Sequence, residues 1–362
     1  MEALSIEPWL ESLWERHGSD LLLVGDSAPR VRVSGKLQPV EGAALLSGDQ
    51  IRGVAWPLLN EVQRATFNEK LDVDFSFSWG DRARIRGSLF TQRGQAALAL
   101  RMIPSDIPTF EDLGLPMAAD MVVKQPRGFV LVTGPTGSGK STTLAAIINR
   151  INETRPSHIL TIEDPVEYVH HHKMSAVSQR EVGLDSPSFD RALRAALRED
   201  PDVLLVGEMR DLESISIALT MAETGHLVFA TLHTNDAPQA IDRIIDVFPP
   251  ERQEQTRVQI AASLNTVIAQ RLIPKIGGGM VAAFEVLVAT SAVRNLIREG
   301  RASQLPNIMF TNSKEGMQTL ESDLVRLISE GIITYEDAVE ASAHPKELAR
   351  GLEQVGLSAP QG

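Results

Sequence analysis

The sequence predicts an α/β protein in two parts, a smaller α+β domain followed by a larger one built on a parallel sheet. Three observations predict this. Period-two alternation of apolar and polar residues marks strands in the first hundred residues. After that, short apolar runs (FVLVTG, HILTIED, DVLLVGE, HLVFATLH) alternate with helical segments, as parallel strands covered by helices do. The first of these runs leads through a glycine-rich loop, GPTGSGKS, into a helix.

Taken in order, residues 1–102 form the first domain. Ile6, Trp9, Leu10, Leu13 and Trp14 fall on one stripe of a helix. In DVDFSFSW, Val73, Phe75, Phe77 and Trp79 alternate with polar residues, and ARIRGSLF and AALALRMI follow the same rhythm. The stretch IPSDIPTFEDLGLP carries three prolines and little periodicity, so residues 103–117 are expected to be a linker. Residues 118–355 form the second domain. Leu144, Ile147, Ile148 and Ile151 stripe one of its helices, and Phe189, Ala192, Leu193, Ala196 and Leu197 another. Beyond residue 250 the chain reads as mostly helical, apart from a hairpin turning at Gly277, Gly278 and Gly279. The tail, residues 356–362, is expected to be disordered.

Composition excludes several classes of function. The chain has 362 residues, 43% hydrophobic and 23% charged, in the ordinary globular range. A net charge of −12 argues against a broad nucleic-acid surface, which needs clustered Lys and Arg. The chain has no cysteine, which rules out disulfides and thiolate metal sites and fits a reducing cytoplasm. The first residues lack the basic and apolar regions of a signal peptide. No apolar run nears the roughly 18 residues of a membrane span, and the most apolar stretch, MVAAFEVLVATSAV, is broken by Glu285. A soluble protein is expected.

GPTGSGKS satisfies G-x-x-x-x-G-K-[ST] in the strand–loop–helix context that gives the motif structural meaning. Gly134, Gly137 and Gly139 let the backbone curl, so that N–H groups from Gly134, Pro135, Thr136, Gly137, Ser138, Gly139, Lys140, Ser141 and Thr142 would surround phosphate oxygens, proline contributing only its fixed turn. Lys140 would reach the β- and γ-phosphates of ATP, and the Ser141 hydroxyl would complete the shell of Mg²⁺. Acidic partners should stand at the ends of neighbouring strands. Glu163 in TIEDPVE and Glu208 in DVLLVGEMRD do so, and either could hold the metal shell or deprotonate the attacking water. His226 and His233 flank the run LVFATL, and His233 falls at a strand end where a γ-phosphate could be sensed. The run His170, His171, His172 reads as solvated, because consecutive positions do not converge on one ion. Arg84, Arg86 and Arg101 lie on strands of the first domain. They could be a solvated face or could donate positive charge to a nucleotide.

GPTGSGKSTT, TIEDPVEYVH, REDPDVLLVGEMRD and ETGHLVFATLHTN, in that order, resemble the Walker A, Asp box, Walker B and His box of the bacterial type II/IV secretion ATPases. QREVG, AIDRIIDVFP and EGMQTL extend the likeness over nearly the whole chain. AVRNLIREG resembles a C-terminal motif of the retraction branch, while the lack of cysteine and the short N-terminal part set the chain apart from the assembly branch. On the residues alone, AVRNLIREG is an amphipathic helix burying Val293, Leu296 and Ile297. The resemblance implies a PAS-like first domain, a RecA-like ATPase domain and a homohexameric ring with ATP bound between the domains. It implies catalytic roles for Glu163, Glu208, His226 and His233, and nucleotide contacts from Arg86 and Arg101. It also implies a cytoplasmic motor for pilus retraction that touches the membrane only through an inner-membrane pilus platform protein and binds no nucleic acid. An assembly or secretion motor, an accessory retraction motor, a non-hydrolysing regulatory subunit and a DNA translocase are the alternatives. One departure is SDLL at Ser19–Leu22, where the family reads SDLH.

Overall fold

Alternation and continuous burial build two different sheets in the computed structural model, which describes residues 4–33, 35–80, 82–104, 106–209 and 211–357. The end of the tail, residues 358–362, lies outside the described residues. The chain divides into two compact units, Met1–Asp106 and Ile107–Gly362.

In the first unit, β1 (Asp20–Leu23), β2 (Arg30–Val33), β3 (Lys36–Pro39), β4 (Asp72–Trp79), β5 (Ala83–Gln92) and β6 (Gln95–Pro104) form an antiparallel sheet in the order β3-β2-β1-β6-β5-β4. Every second residue of β5, from Ala83 through Ile85 and Gly87 to Leu89, is buried. Gly87 has a close-packing reason to be glycine, since a Cβ there would stand 2.4 Å from the Phe75 ring. The helix Glu7–Glu15 buries Trp9, Leu10 and Leu13, as the stripe predicts.

In the second unit, β7 (Gly128–Thr133), β8 (His158–Glu163), β9 (Ala176–Glu181), β10 (Val203–Val206), β11 (Leu227–Leu232), β12 (Leu264–Pro274) and β13 (Met280–Val288) form one sheet in the order β13-β12-β7-β11-β10-β8-β9. All neighbours are parallel except β12 and β13. Every residue of β7, β10 and β11 is buried, because helices cover both faces. The helix Lys140–Thr154 buries the predicted stripe of Leu144, Ile147, Ile148 and Ile151.

One sequence expectation differs from the structure, and two gain detail. Within residues 103–117, β6 continues to Pro104, and a turn of helix, Phe110–Leu113, is capped by the Thr109 side chain. The hairpin turning at Gly277, Gly278 and Gly279 is the long pair β12 and β13, which lies inside the main sheet. His170 is buried rather than solvated, and burial together with the nearby positive charges of Lys173 and His171 pushes its pKa down to about 4. In the predicted helix over AVRNLIREG, Ser291–Arg298, Val293 and Ile297 are buried and Leu296 half-buried.

Candidate functional site

Parallel strands all finish at one edge of their sheet, and loops leaving that edge converge. Thr133 ends β7 opposite Leu232 of β11 and Ala269 of β12. Val206 of β10 pairs with Ile162 of β8, so Glu163 and Glu208 leave adjacent strands at this same edge. Gly207 between them must be small, since a Cβ there would meet the Ile162 carbonyl oxygen at 3.0 Å.

The glycine-rich loop leaves β7 with Gly134 at φ 147° and ends with Gly139 at φ 88°, the residue that starts the helix Lys140–Thr154. A Cβ on Gly134 would stand 2.4 Å from the Gln270 carbonyl oxygen, so strain and crowding both demand glycine. Gln270, buried on β12, braces the loop by donating from its side-chain amide to the Ser138 carbonyl. The buried hydroxyls of Thr133 and Ser138 and the Gln270 side-chain oxygen carry no hydrogen bond among the described residues. The two hydroxyls, as free donors beside a helix N-terminus, suit an anionic ligand.

Lys140 is buried, and its ammonium donates to the carbonyls of Gly134 (2.8 Å) and Pro135 (3.0 Å) and lies 3.4 Å from His233 Nδ1. His233 Nε2 lies 3.2 Å from a Glu208 carboxylate oxygen. One tautomer satisfies both contacts: the ammonium donates to a bare Nδ1, and Nε2–H donates to the carboxylate. Burial lowers the pKa of Lys140, while the charges of Glu208 and Glu167 oppose the shift. The phosphate-loop lysine is thereby tied to Glu208 through one imidazole.

Glu163 stands at the end of β8. Burial raises its pKa, and three donors oppose the rise: the Thr161 hydroxyl, the Gln179 amide and the Glu167 backbone N–H. Thr161 Oγ1 donates to Oε1 at 2.6 Å and Gln179 Nε2 to the same oxygen at 3.3 Å. Tyr168, in the loop after Glu163, places its hydroxyl 3.0 Å from Thr142 Oγ1 on the phosphate-loop helix. Among the described residues, no group of three His, Cys, Asp or Glu could hold a metal ion by itself.

The structure thus brings Lys140, His233 and Glu208 into contact, with Glu163 leaving the neighbouring strand at the same sheet edge. His226 is separated from them. It precedes β11 at the opposite edge, where its backbone oxygen accepts from Gly128 and its Nδ1 lies 2.9 Å from the Met221 carbonyl. A strand of six residues, about 20 Å long, divides it from His233. Sequence reasoning missed Thr161, Gln179, Gln270 and Tyr168. Thr161 and Gln270 did carry a signal, each being a polar residue inside an apolar strand run.

In the first unit the arginines form a cross-strand row. Ser76 pairs with Arg86, Arg86 with Arg101, Arg101 with Asp20, and Asp20 with Arg32. Asp20 accepts from Arg101 at 2.9 Å and bridges to Arg32 at 3.5 Å. Arg84 reaches Ser76 Oγ at 2.8 Å.

Residues 82–279 match the family model described as type II/IV secretion system protein. The type IV pilus retractation ATPase PilT of Pseudomonas aeruginosa is 49% identical over 328 residues, 91% of this chain and 95% of that protein. The chain is a type II/IV secretion system protein. Within this family it is also 41% identical to the type IV pilus ATPase PilU of Pseudomonas aeruginosa, across 93% of this chain and 88% of that one. Among solved structures, the pilus retraction motor PilT with bound ADP superposes with a TM-score of 0.91 at 48% identity, covering 96% of this chain and 99% of that chain.

Proposed function

We propose that this chain is an ATPase motor that powers type IV pilus retraction, and so twitching motility, by hydrolysing ATP. The observation that carries the reading is the Lys140–His233–Glu208 contact at the end of a complete phosphate loop, in a chain so alike a retraction ATPase along its length.

In this reading the N–H groups of Gly134 and of residues 136–142 cradle the phosphates at the positive end of the helix, and Lys140 turns from its loop carbonyls to the β- and γ-oxygens. Mg²⁺, when bound, would supply neutralisation of developing charge at the phosphates. Ser141 offers it a hydroxyl, with Glu163 and Glu208 as the carboxylates of its surroundings. Glu163 takes the proton of the attacking water, since burial raises its basicity. Glu208 holds His233, which turns toward the lysine and the γ-phosphate. Arg86 and Arg101 supply positive charge to nucleotide in a ring of six copies, the role of an arginine finger. His226 supports its own turn. No described helix is long and apolar enough to cross a membrane. The ring works at the cytoplasmic face of the inner membrane, meets it through a platform protein, and needs no nucleic acid.

The test is to count surface pili on cells carrying Lys140→Ala at the native locus, beside the parent. Excess pili with lost surface motility are expected. Bald cells would make the protein an assembly motor instead, and unchanged cells would remove it from pilus dynamics.

A further inference from the structure

One half-buried polar side chain near the site has every hydrogen-bonding atom committed, and none of the motifs that identify the family assigns it a task. Gln179 lies on β9, paired with Thr161 of β8. Its Nε2 donates to Glu163 Oε1 (3.3 Å) and to the Tyr168 carbonyl (2.8 Å), while its Oε1 accepts from the His170 backbone N–H (2.7 Å). An amide offers two donor hydrogens and one carbonyl oxygen, and here each has a partner.

Those three partners sit on one segment. Glu163 opens it, Tyr168 and His170 close it, and the Tyr168 hydroxyl touches Thr142 one residue after Ser141. A single side chain on the neighbouring strand therefore joins Thr161 in orienting the carboxylate and ties the following loop to it. The far end of the segment is held separately, because Asn152 donates to the His171 carbonyl and accepts from the Lys173 backbone N–H. Hence loss of Gln179 would loosen the Glu163 end, leaving it to Thr161 alone, without releasing the whole segment.

We propose that Gln179 is a positioning residue for ATP hydrolysis: its amide orients the Glu163 carboxylate and seats the Tyr168 loop against the phosphate-loop helix. This rests on the reading of the site as an ATPase. Only an amide serves all three contacts. A glutamate in its place could still accept from His170 but would offer no donor, and would set a second carboxylate against Glu163. A leucine would keep the bulk and lose every bond.

The experiment compares full-length Gln179→Glu and Gln179→Leu with the unmodified protein. It measures steady-state phosphate release, equilibrium binding of a non-hydrolysable ATP analogue, and thermal melting. We expect kcat to fall by between about tenfold and a hundredfold in both variants, the cost of a misplaced reacting group. Analogue affinity should stay within about twofold, as for an interaction that matters in the transition state rather than in binding. In a Glu163→Gln background, Gln179→Glu should add almost no further loss, because the two act as a unit. Unchanged kcat, losses that multiply in the double variant, weakened analogue binding at constant kcat, or two variants that do not fold would each overturn the proposal. An unmodified protein that releases no phosphate would instead defeat the ATPase reading itself.

Discussion

Strands β5 and β7 belong to the two units and show how burial decides where chemistry can sit. Along β5 the residues alternate between core and surface, so Arg84 and Arg86 share one face without disturbing Ala83, Ile85 and Leu89. Along β7 all six residues are buried, and a polar group there has no surface to turn to. The antiparallel sheet therefore carries charge along its length, in the row Arg86, Arg101, Asp20 and Arg32. The fully buried strands β7, β10 and β11 carry none along their length, and the site's charge gathers at and just past strand ends, in Lys140, Glu163, Glu208 and His233. On the face Arg101 is exposed, whereas at the strand ends Lys140 is buried and held by two loop carbonyls.

If edge chemistry is the catalytic part, its loss should be the largest. Glu208→Gln is expected to keep nucleotide binding while lowering phosphate release by about a hundredfold or more. An equal fall in binding would make Glu208 a structural brace of Lys140. Next in size, Arg101→Ala should lower hydrolysis by the full-length protein by about tenfold or more with its melting temperature unchanged, since the side chain is 64% exposed. Normal turnover would reduce the arginine row to a solvated face, and the contrast between units would lose its functional half.

A smaller effect measures what continuous burial costs a charge. Burial raises the pKa of Glu285 on β13 to about 7, with a hydrogen bond from the Ala237 backbone N–H opposing the rise. A folded-state carboxyl above its unfolded value of 4.5 binds a proton that the unfolded chain releases, so stability falls as pH climbs from that value to about 7. The loss is at most about 3 kcal/mol, a ceiling because the side chain keeps some solvent contact. Glu285→Gln should raise the denaturation midpoint at pH 8 and leave it unchanged at pH 3, where the carboxyl is protonated in both states. Equal shifts at both values would mean packing, not ionisation, sets the difference. Smallest of all, Asp20→Asn should change stability by less than about 1 kcal/mol, as surface ion pairs do. A larger loss on denaturant titration would show the arginine row to be structural.

The sequence by itself determined the class of each sheet, the strand–loop–helix around Lys140 and the two glutamates at strand ends. These follow from local rules: alternation, continuous apolar runs, and the need for glycine where φ is positive. The first unit's helix and the stripe of Lys140–Thr154 were equally legible. Tertiary structure alone decided which of those residues meet. His226 and His233 look like a pair in sequence, yet a strand holds them at opposite edges, while Lys140 and His233, far apart in the chain, lie 3.4 Å from each other. The hairpin of β12 and β13 joins the main sheet and presents Gln270 to the loop, and no periodicity within its apolar runs foretells that neighbour. Gln179 is plainer still. It opens QREVG and sits half-buried within β9, but its task is hidden until the parallel pairing of β8 and β9 sets it beside Glu163. Strand order and register are properties of the whole packed sheet, and they place side chains that local sequence cannot bring together.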